Sequence, residues 1–306
     1  MKYFDLHCDT LTEICDSGKD ILHNDLHISL DRAKNFEKYV QTFACFIPDE
    51  YRGEAAVSYF NKLADKFYEC LNKENDISLY SDKNTDTKIK AILSVEGGAA
   101  LGGKIENVKY LYDRGVKIMT LTWNAKNEIA HGAYEESGGL TSFGKDVIRE
   151  MENLGIVADV SHLNRESFFD VAKVAKKPFI ATHSNADIVN KEAGHKRNLT
   201  DEQIKIIRDM NGLIGLNFYS EFLDDENAQG TDALLRQIEY FMDLGCEDVI
   251  AVGSDFDGCT VCDELDGIHK IETVKNTLLE KGVSQKLLEK IFFENANGFF
   301  TETLKH

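Results

Sequence analysis

The sequence predicts an α/β fold of the (β/α)8 TIM-barrel type, and three observations carry the prediction. Eight short β-branched or apolar segments recur along the chain, with stretches of helical periodicity between them. Histidine, aspartate and glutamate stand where several of these segments end, the place where barrel strands converge on one face. The chain has 306 residues, long for an average domain but within the range that one barrel fills. Alternation of strand and helix favours a parallel sheet, and eight repeats favour its closure.

Taken in order, the strands are expected at residues 3–8, 39–47, 89–95, 117–122, 156–161, 178–182, 213–218 and 249–254. Amphipathic spacing predicts helices over residues 54–72, 144–154, 166–175, 200–210 and 232–244. Gly155, Gly212 and Gly245 each stand between a helical stretch and the next strand, where a helix C-cap is wanted. Thr200-Asp201-Glu202-Gln203 reads as a capping box. The polar stretch 73–88 reads as a surface excursion, and residues 284–300 as a C-terminal helical tail packed on the outside of the barrel. No linker, repeat or low-complexity segment interrupts the series, so a single domain over residues 1–306 is expected.

A formal net charge of −18 argues against nucleic acid and anionic membrane surfaces as partners, since both favour basic patches. No apolar run approaches the ~18 residues of a membrane span, and the N-terminal segment lacks the features of a secretory signal. A cytoplasmic protein is the expectation. The seven cysteines are odd in number and irregularly spaced, so they read as reduced thiols. Cys259 and Cys262 form a C-x-x-C without the second pair that a structural zinc needs.

The chemistry sits at the strand ends. His7 and Asp9, two apart at the first, face the same way and suit a divalent metal, although a hydrogen-bonded pair filling the barrel end is an alternative. Glu96 ends the apolar run Ile92-Leu93-Ser94-Val95, where a buried carboxylate needs a partner or a metal and an exposed one does not. His162 and His183 close two segments 21 residues apart, so they occupy equivalent positions on neighbouring strands, which favours ligation over two satisfied core histidines. Asp255 ends the eighth segment, and closure would bring it beside His7 and Asp9, poised to take a proton from a metal-bound water. Asp257, next to Gly258, reads as a turn residue. Arg197 reads as a residue of a solvated loop ahead of the helix that starts near Thr200, and Tyr219 as an aromatic at a strand end.

In combination these segments resemble the membrane dipeptidase, or renal dipeptidase, family of zinc peptidases. The matching stretches are Asp5-Leu6-His7-Cys8-Asp9, Ser94-Val95-Glu96-Gly97-Gly98, Asp159-Val160-Ser161-His162, Thr182-His183-Ser184, Lys196-Arg197-Asn198, Leu216-Asn217-Phe218-Tyr219 and Gly253-Ser254-Asp255-Phe256-Asp257-Gly258. The resemblance implies two Zn2+ ions, other divalent ions being compatible, with His7 and Asp9 on one, His162 and His183 on the other, and Glu96 bridging. It implies that Asp255 handles the proton of the attacking water, that Arg197 binds the substrate's free carboxylate, and that Tyr219 contacts substrate. The implied substrate is a dipeptide, including one with a C-terminal D-residue. Two ions ~3.5–4 Å apart can share a hydroxide and polarise the peptide carbonyl, which agrees with that assignment.

One departure stands out. The animal enzymes carry Leu-Thr-His at the fourth strand end, whereas this chain has Leu121-Thr122-Trp123-Asn124, so Trp123 and Asn124 are the candidate substrate contacts there. Indole donates one hydrogen bond and accepts none. His131, the next histidine along, reads as a solvated loop residue. Rival readings are another metal-dependent amidase or lactonase on the same barrel, and a metal-binding barrel without catalysis. Homodimerisation is left open by the sequence.

Overall fold

The computed structural model describes residues 1–81 and 86–304. Its strands are β1 (Lys2–Asp5), β2 (Lys38–Phe46), β3 (Ile77–Leu79), β4 (Ile89–Glu96), β5 (Val116–Thr120), β6 (Val157–Asp159), β7 (Ile214–Leu216) and β8 (Ile250–Val252). All strand pairings are parallel, in the order β6-β5-β4-β2-β1-β8-β7, and β3 pairs with β4 off this path. The architecture is thus a mixed α/β fold around a curled seven-stranded parallel sheet. Long helices such as Gly53–Lys73, Ser142–Leu154 and Gly230–Asp243 cover it.

Residues 178–182 do not form a strand. They contribute two isolated parallel bridges, Asp159 to Ile180 and Ala181 to Ile214, that link β6 to β7 across the gap in the sheet. Gly215 and Gly253 explain the tightness there, because a Cβ on either would meet the Thr182 carbonyl oxygen at 1.8 and 1.7 Å.

Two faces of the sheet have different cores, as the period-two alternation of strands requires. The larger core lies under the helices. The smaller takes Phe4 and Leu6, then Val40, Ile92, Ile118, Val157, Ile180, Leu213 and Ala251, so all eight predicted segments contribute to it. Phe293, Ala296 and Phe300 complete that inner cluster, and Phe300 stacks on Phe4 at 5.5 Å. The C-terminal segment therefore does not lie outside the sheet as expected. It forms helical turns at Gln285–Glu289, Lys290–Glu294 and Asn295–Thr303 that seal the inner face near the start of β1, where Phe293 also meets Lys2.

The expected surface excursion at 73–88 holds the short strand β3, and its residues 82–85 lie outside the described residues. The capping box at Thr200 is present, with Gln203 as its partner. No helix among the described residues is long and apolar enough to cross a membrane.

Candidate active site

Two of the strand exits that carry candidate ligands are fixed by a buried carboxylate, Asp5 two residues before His7 and Asp159 three before His162. Asp5 Oδ1 accepts the backbone N–H groups of His7 (3.2 Å) and Ser254 (3.0 Å), and the Tyr3 hydroxyl donates to Oδ2 at 2.8 Å. This ties the exit of β1 to that of β8. Asp159 repeats the device: Oδ1 accepts from the backbones of Ser161 and Thr182, both at 2.9 Å, and Oδ2 from the hydroxyls of Thr120 and Thr182, both at 2.6 Å. Neither aspartate was assigned a role from sequence. The usable signal is an aspartate two or three residues ahead of His7 and of His162.

The ring orientations follow from these anchors. The Thr182 hydroxyl gives its proton to Asp159, so it accepts from His183 Nδ1 at 2.8 Å, and His183 Nε2 is left with its lone pair. Asn124 Oδ1 accepts from His162 Nδ1 at 2.9 Å, with the same result. The two Nε2 atoms then face each other at 2.8 Å. Two lone pairs so close favour a shared cation.

Glu96 lies between two sets of donors. Its Oε1 is 2.9 Å from His162 Nε2 and 3.6 Å from His183 Nε2, while its Oε2 is 3.5 Å from His7 Nε2. Around His7 Nε2 stand Asp9 Oδ2 at 3.4 Å and Asp255 Oδ1 at 3.8 Å. Ligands ~2.0–2.1 Å from one tetrahedral ion sit about 3.4 Å apart, which is the spacing of this cluster. Buried His7 Nε2 and Asp9 Oδ1 have no hydrogen-bond partner among the described residues, as expected of atoms whose partner is a metal. Imidazole and carboxylate donors suit zinc or a similar divalent ion, so the residues fit the group.

The electrostatics agree. Burial pushes Glu96 up to about 7, with His7 opposing and Asp9 adding to the rise. Burial also raises Asp255, again against His7. His7 is held well above the usual imidazole range because Glu96 and Asp9 outweigh its burial. His162 and His183 are pushed well down, by burial first and then by nearby positive charge. Concentrated buried negative charge of this kind is stabilised by cations.

Local backbone strain gathers here too. Among the described residues, His162, Asp255, Asp257 and Asn211 are the non-glycine residues with positive φ, and three of the four belong to this site. Asp255 is steadied by Asn217, whose Nδ2 donates to Oδ2 at 3.0 Å, leaving Oδ1 directed at His7. Asn217 is a further residue to which sequence reasoning gave no role.

A cavity of about 650 Å³ opens onto the cluster. Asp9, Glu96, His162 and Asp255 line it, as do Trp123, Asn124 and Tyr219, whereas His7, His183 and Arg197 lie behind its wall. Asp257 is more than a turn residue: it also lines the cavity, and it accepts the His27 backbone N–H at 2.7 Å and the Thr10 hydroxyl. Cys259 lines the cavity as well, its thiol donating to the Asp255 carbonyl at 3.1 Å. His131 does not: it is partly buried, with Nδ1 2.9 Å from the Gly139 carbonyl oxygen.

Arg197 is not on a solvated loop. It ends the helix Glu192–Arg197, is only 4% exposed, and its guanidinium lies 5.1 Å from the Phe222 ring centroid. One Nη donates to the His183 carbonyl at 3.4 Å, Nε has no partner, and no carboxylate of the described residues is within ion-pair distance. Burial lowers its pKa, against the pull of Asp255 and Glu96.

The family model described as membrane dipeptidase (peptidase family M19) matches residues 1–303. A relative from Klebsiella pneumoniae, described as an uncharacterized protein in the pqqA 5′ region, is 34% identical over 221 residues, covering 69% of this chain and 80% of its own. Among solved structures, a dipeptidase AC described as a metallopeptidase of family M19 superposes with a TM-score of 0.90 at 25% identity, covering 100% of this chain and 99% of its own. A metallopeptidase from Rhodobacter sphaeroides, liganded with a phosphinate mimic of the dipeptide L-Ala-D-Ala, gives a TM-score of 0.89 at 24% identity, with 99% of both chains covered. That second likeness speaks to the fold.

Proposed function

Because the chain belongs to the membrane dipeptidase family of metallopeptidases, we propose that it is a dizinc dipeptidase, folded as a single closed (β/α)8 domain. The observation that carries the two-ion reading is Glu96, whose oxygens divide between His7 on one side and His162 with His183 on the other. In this reading His7 and Asp9 would hold one ion, His162 and His183 the other, and Glu96 would serve both. When bound, the pair supplies electrophilic polarisation of the scissile carbonyl and makes water acidic enough to attack near neutral pH.

The chain's own residues do the rest. Asp255 takes the proton of the attacking water on Oδ1, because Asn217 engages Oδ2, and delivers it to the leaving amine. Arg197 attracts the substrate's free carboxylate: a buried guanidinium without an ion pair is costly on its own and favours an anionic ligand. A clamp that reads only the carboxylate is indifferent to the configuration of the residue bearing it, which supports acceptance of a C-terminal D-residue. Trp123, Asn124 and Tyr219 form the cavity wall around the substrate. Seven free thiols accord with a cytoplasmic setting.

The test is metal analysis after dialysis, together with a dipeptide panel. Two divalent ions per chain and dipeptide turnover are expected, with both ions lost in Glu96→Ala. A Glu96→Ala protein that retains two ions overturns the bridging role.

A further inference from the structure

The cavity has two chemically distinct walls. Asp9, Glu13 and Asp257 make one acidic, whereas Phe46 and Trp123 meet elsewhere on its lining as an aromatic corner. Phe46 is the last residue of β2 and the register partner of Glu96 on β4. Register partners in a parallel pair share a face, so its ring leaves the sheet on the same side as the Glu96 carboxylate. Trp123 lies three residues past the end of β5, the next strand beyond β4. The two rings pack edge to face, with centroids 4.9 Å apart and planes at 75°, and the indole centroid is 6.4 Å from the His162 ring. Both residues remain partly exposed while lining the cavity, so apolar ring surface faces the space above the cluster.

The direction of a bound dipeptide follows from Arg197. That residue sits behind Phe222 and donates to the His183 carbonyl, on the arc formed by residues 180–183 and β7. The corner of Phe46 and Trp123 lies on the arc of β2, β4 and β5, across the curled sheet. A dipeptide whose carboxylate turns toward Arg197 and whose scissile carbonyl lies at Glu96 therefore points its N-terminal residue at the aromatic corner. We propose that Phe46 and Trp123 form the subsite for the side chain of the N-terminal residue, and that they select dipeptides in which this residue is aromatic or large and apolar. The proposal rests on the dipeptidase reading. Three physical points favour it. Apolar surface gains by burial in proportion to its area, and the ring faces here offer such surface. Indole has a single donor and no acceptor, so the corner offers little to a polar side chain. A cavity of about 650 Å³ lies in the middle of the ~300–1,000 Å³ range of small-molecule sites and leaves room beyond two small residues.

The experiment compares kcat/KM for Phe-Ala, Ala-Phe and Ala-Ala with the metal-replete protein, Trp123→Ala, Trp123→Leu and Phe46→Ala, each checked for metal content and circular dichroism. In the unmutated protein Phe-Ala is expected to exceed Ala-Ala by roughly tenfold or more, the scale at which hydrophobic pockets discriminate. Trp123→Ala and Phe46→Ala should bring that ratio toward one, Trp123→Leu should keep part of it, and the Ala-Phe to Ala-Ala ratio should stay put. An unchanged Phe-Ala to Ala-Ala ratio in both alanine variants, with metal and fold intact, overturns the subsite. So does a change confined to Ala-Phe, which would place the corner at the C-terminal residue. Absence of turnover of all three dipeptides by the unmutated protein instead removes the dipeptidase reading on which the subsite rests.

Discussion

Arg197→Met separates a carboxylate clamp from a structural cation because the two roles predict opposite signs. Methionine has a stem of similar length and keeps apolar contact with Phe222, so the cavity wall is preserved. What is lost from stability is a cation–π contact at 5.1 Å, about 2 kcal/mol when desolvated, and a hydrogen bond that is weak because it is long at 3.4 Å. What is relieved is the burial of a charge that has no ion pair, a penalty of several kcal/mol for a desolvated ion. The variant should therefore unfold at an equal or higher urea midpoint. Its activity should move the other way. Hydrogen bonds to a charged group contribute about 1.5–3 kcal/mol, equivalent to roughly 13- to 160-fold in kcat/KM. That loss should fall on dipeptides with a free C-terminus and spare those blocked as an amide, so the acid-to-amide ratio collapses. Urea unfolding followed by circular dichroism and kcat/KM for one acid–amide pair are enough. A lower midpoint with an unchanged acid-to-amide ratio would refute the clamp.

Three further outcomes are expected. Asp255→Asn keeps the hydrogen-bonding outline but removes the base, so kcat should fall by ~10²–10⁴ with metal content retained; loss of metal would make Asp255 a ligand instead. Thr182→Val cuts the path from Asp159 to His183 Nδ1, and zinc affinity measured by chelator competition should drop by ~10–100-fold, the scale of outer-shell ligand partners; an unchanged affinity would contradict the orientation argument. In chelator-treated protein, His7 and Glu96 both hold protons more tightly folded than unfolded, so their contribution is complete at low pH and is lost as pH rises, that of Glu96 through about 7 and that of His7 above the usual imidazole range. The thermal midpoint of that protein should fall as pH rises above about 6.5 while zinc-loaded protein shows no such fall, and a chelated midpoint that rises instead would count against the assignment.

Much of this site was legible because the chemistry of strand ends is local. His7, Asp9, Glu96, His162, His183 and Asp255 each follow an apolar run, and that alone marks them before any contact is known. Several strands end two or three residues earlier than expected, those predicted at 3–8, 156–161 and 249–254 among them, whereas the one predicted at 89–95 runs one residue further. His162 and Asp255 adopt positive φ, which takes the backbone out of the ladder just where the candidate site residues begin. The stretch 178–182 carries the β-branched pattern of a strand, yet its pairing reduces to two bridges, a difference no periodicity can register. Asp5 escaped notice because its second backbone donor, Ser254, is 249 residues away. The tail was placed on the wrong face for a related reason: phenylalanines at helical spacing show that a face is buried, but not against what.

The inner cluster also has a bearing on how this protein is made. Phe4 and Phe300 stack on one another although nearly the whole chain separates them. At ~5–20 residues per second of synthesis, the first strand waits on the order of 15–60 s before the helix that covers its inner face exists. During that interval Phe4, Leu6, Val40 and Ile92 have apolar surface without its final cover, in strands that also lack their closing neighbours. The inner face beneath the candidate site therefore lacks its final cover until Phe293, Ala296 and Phe300 have been made.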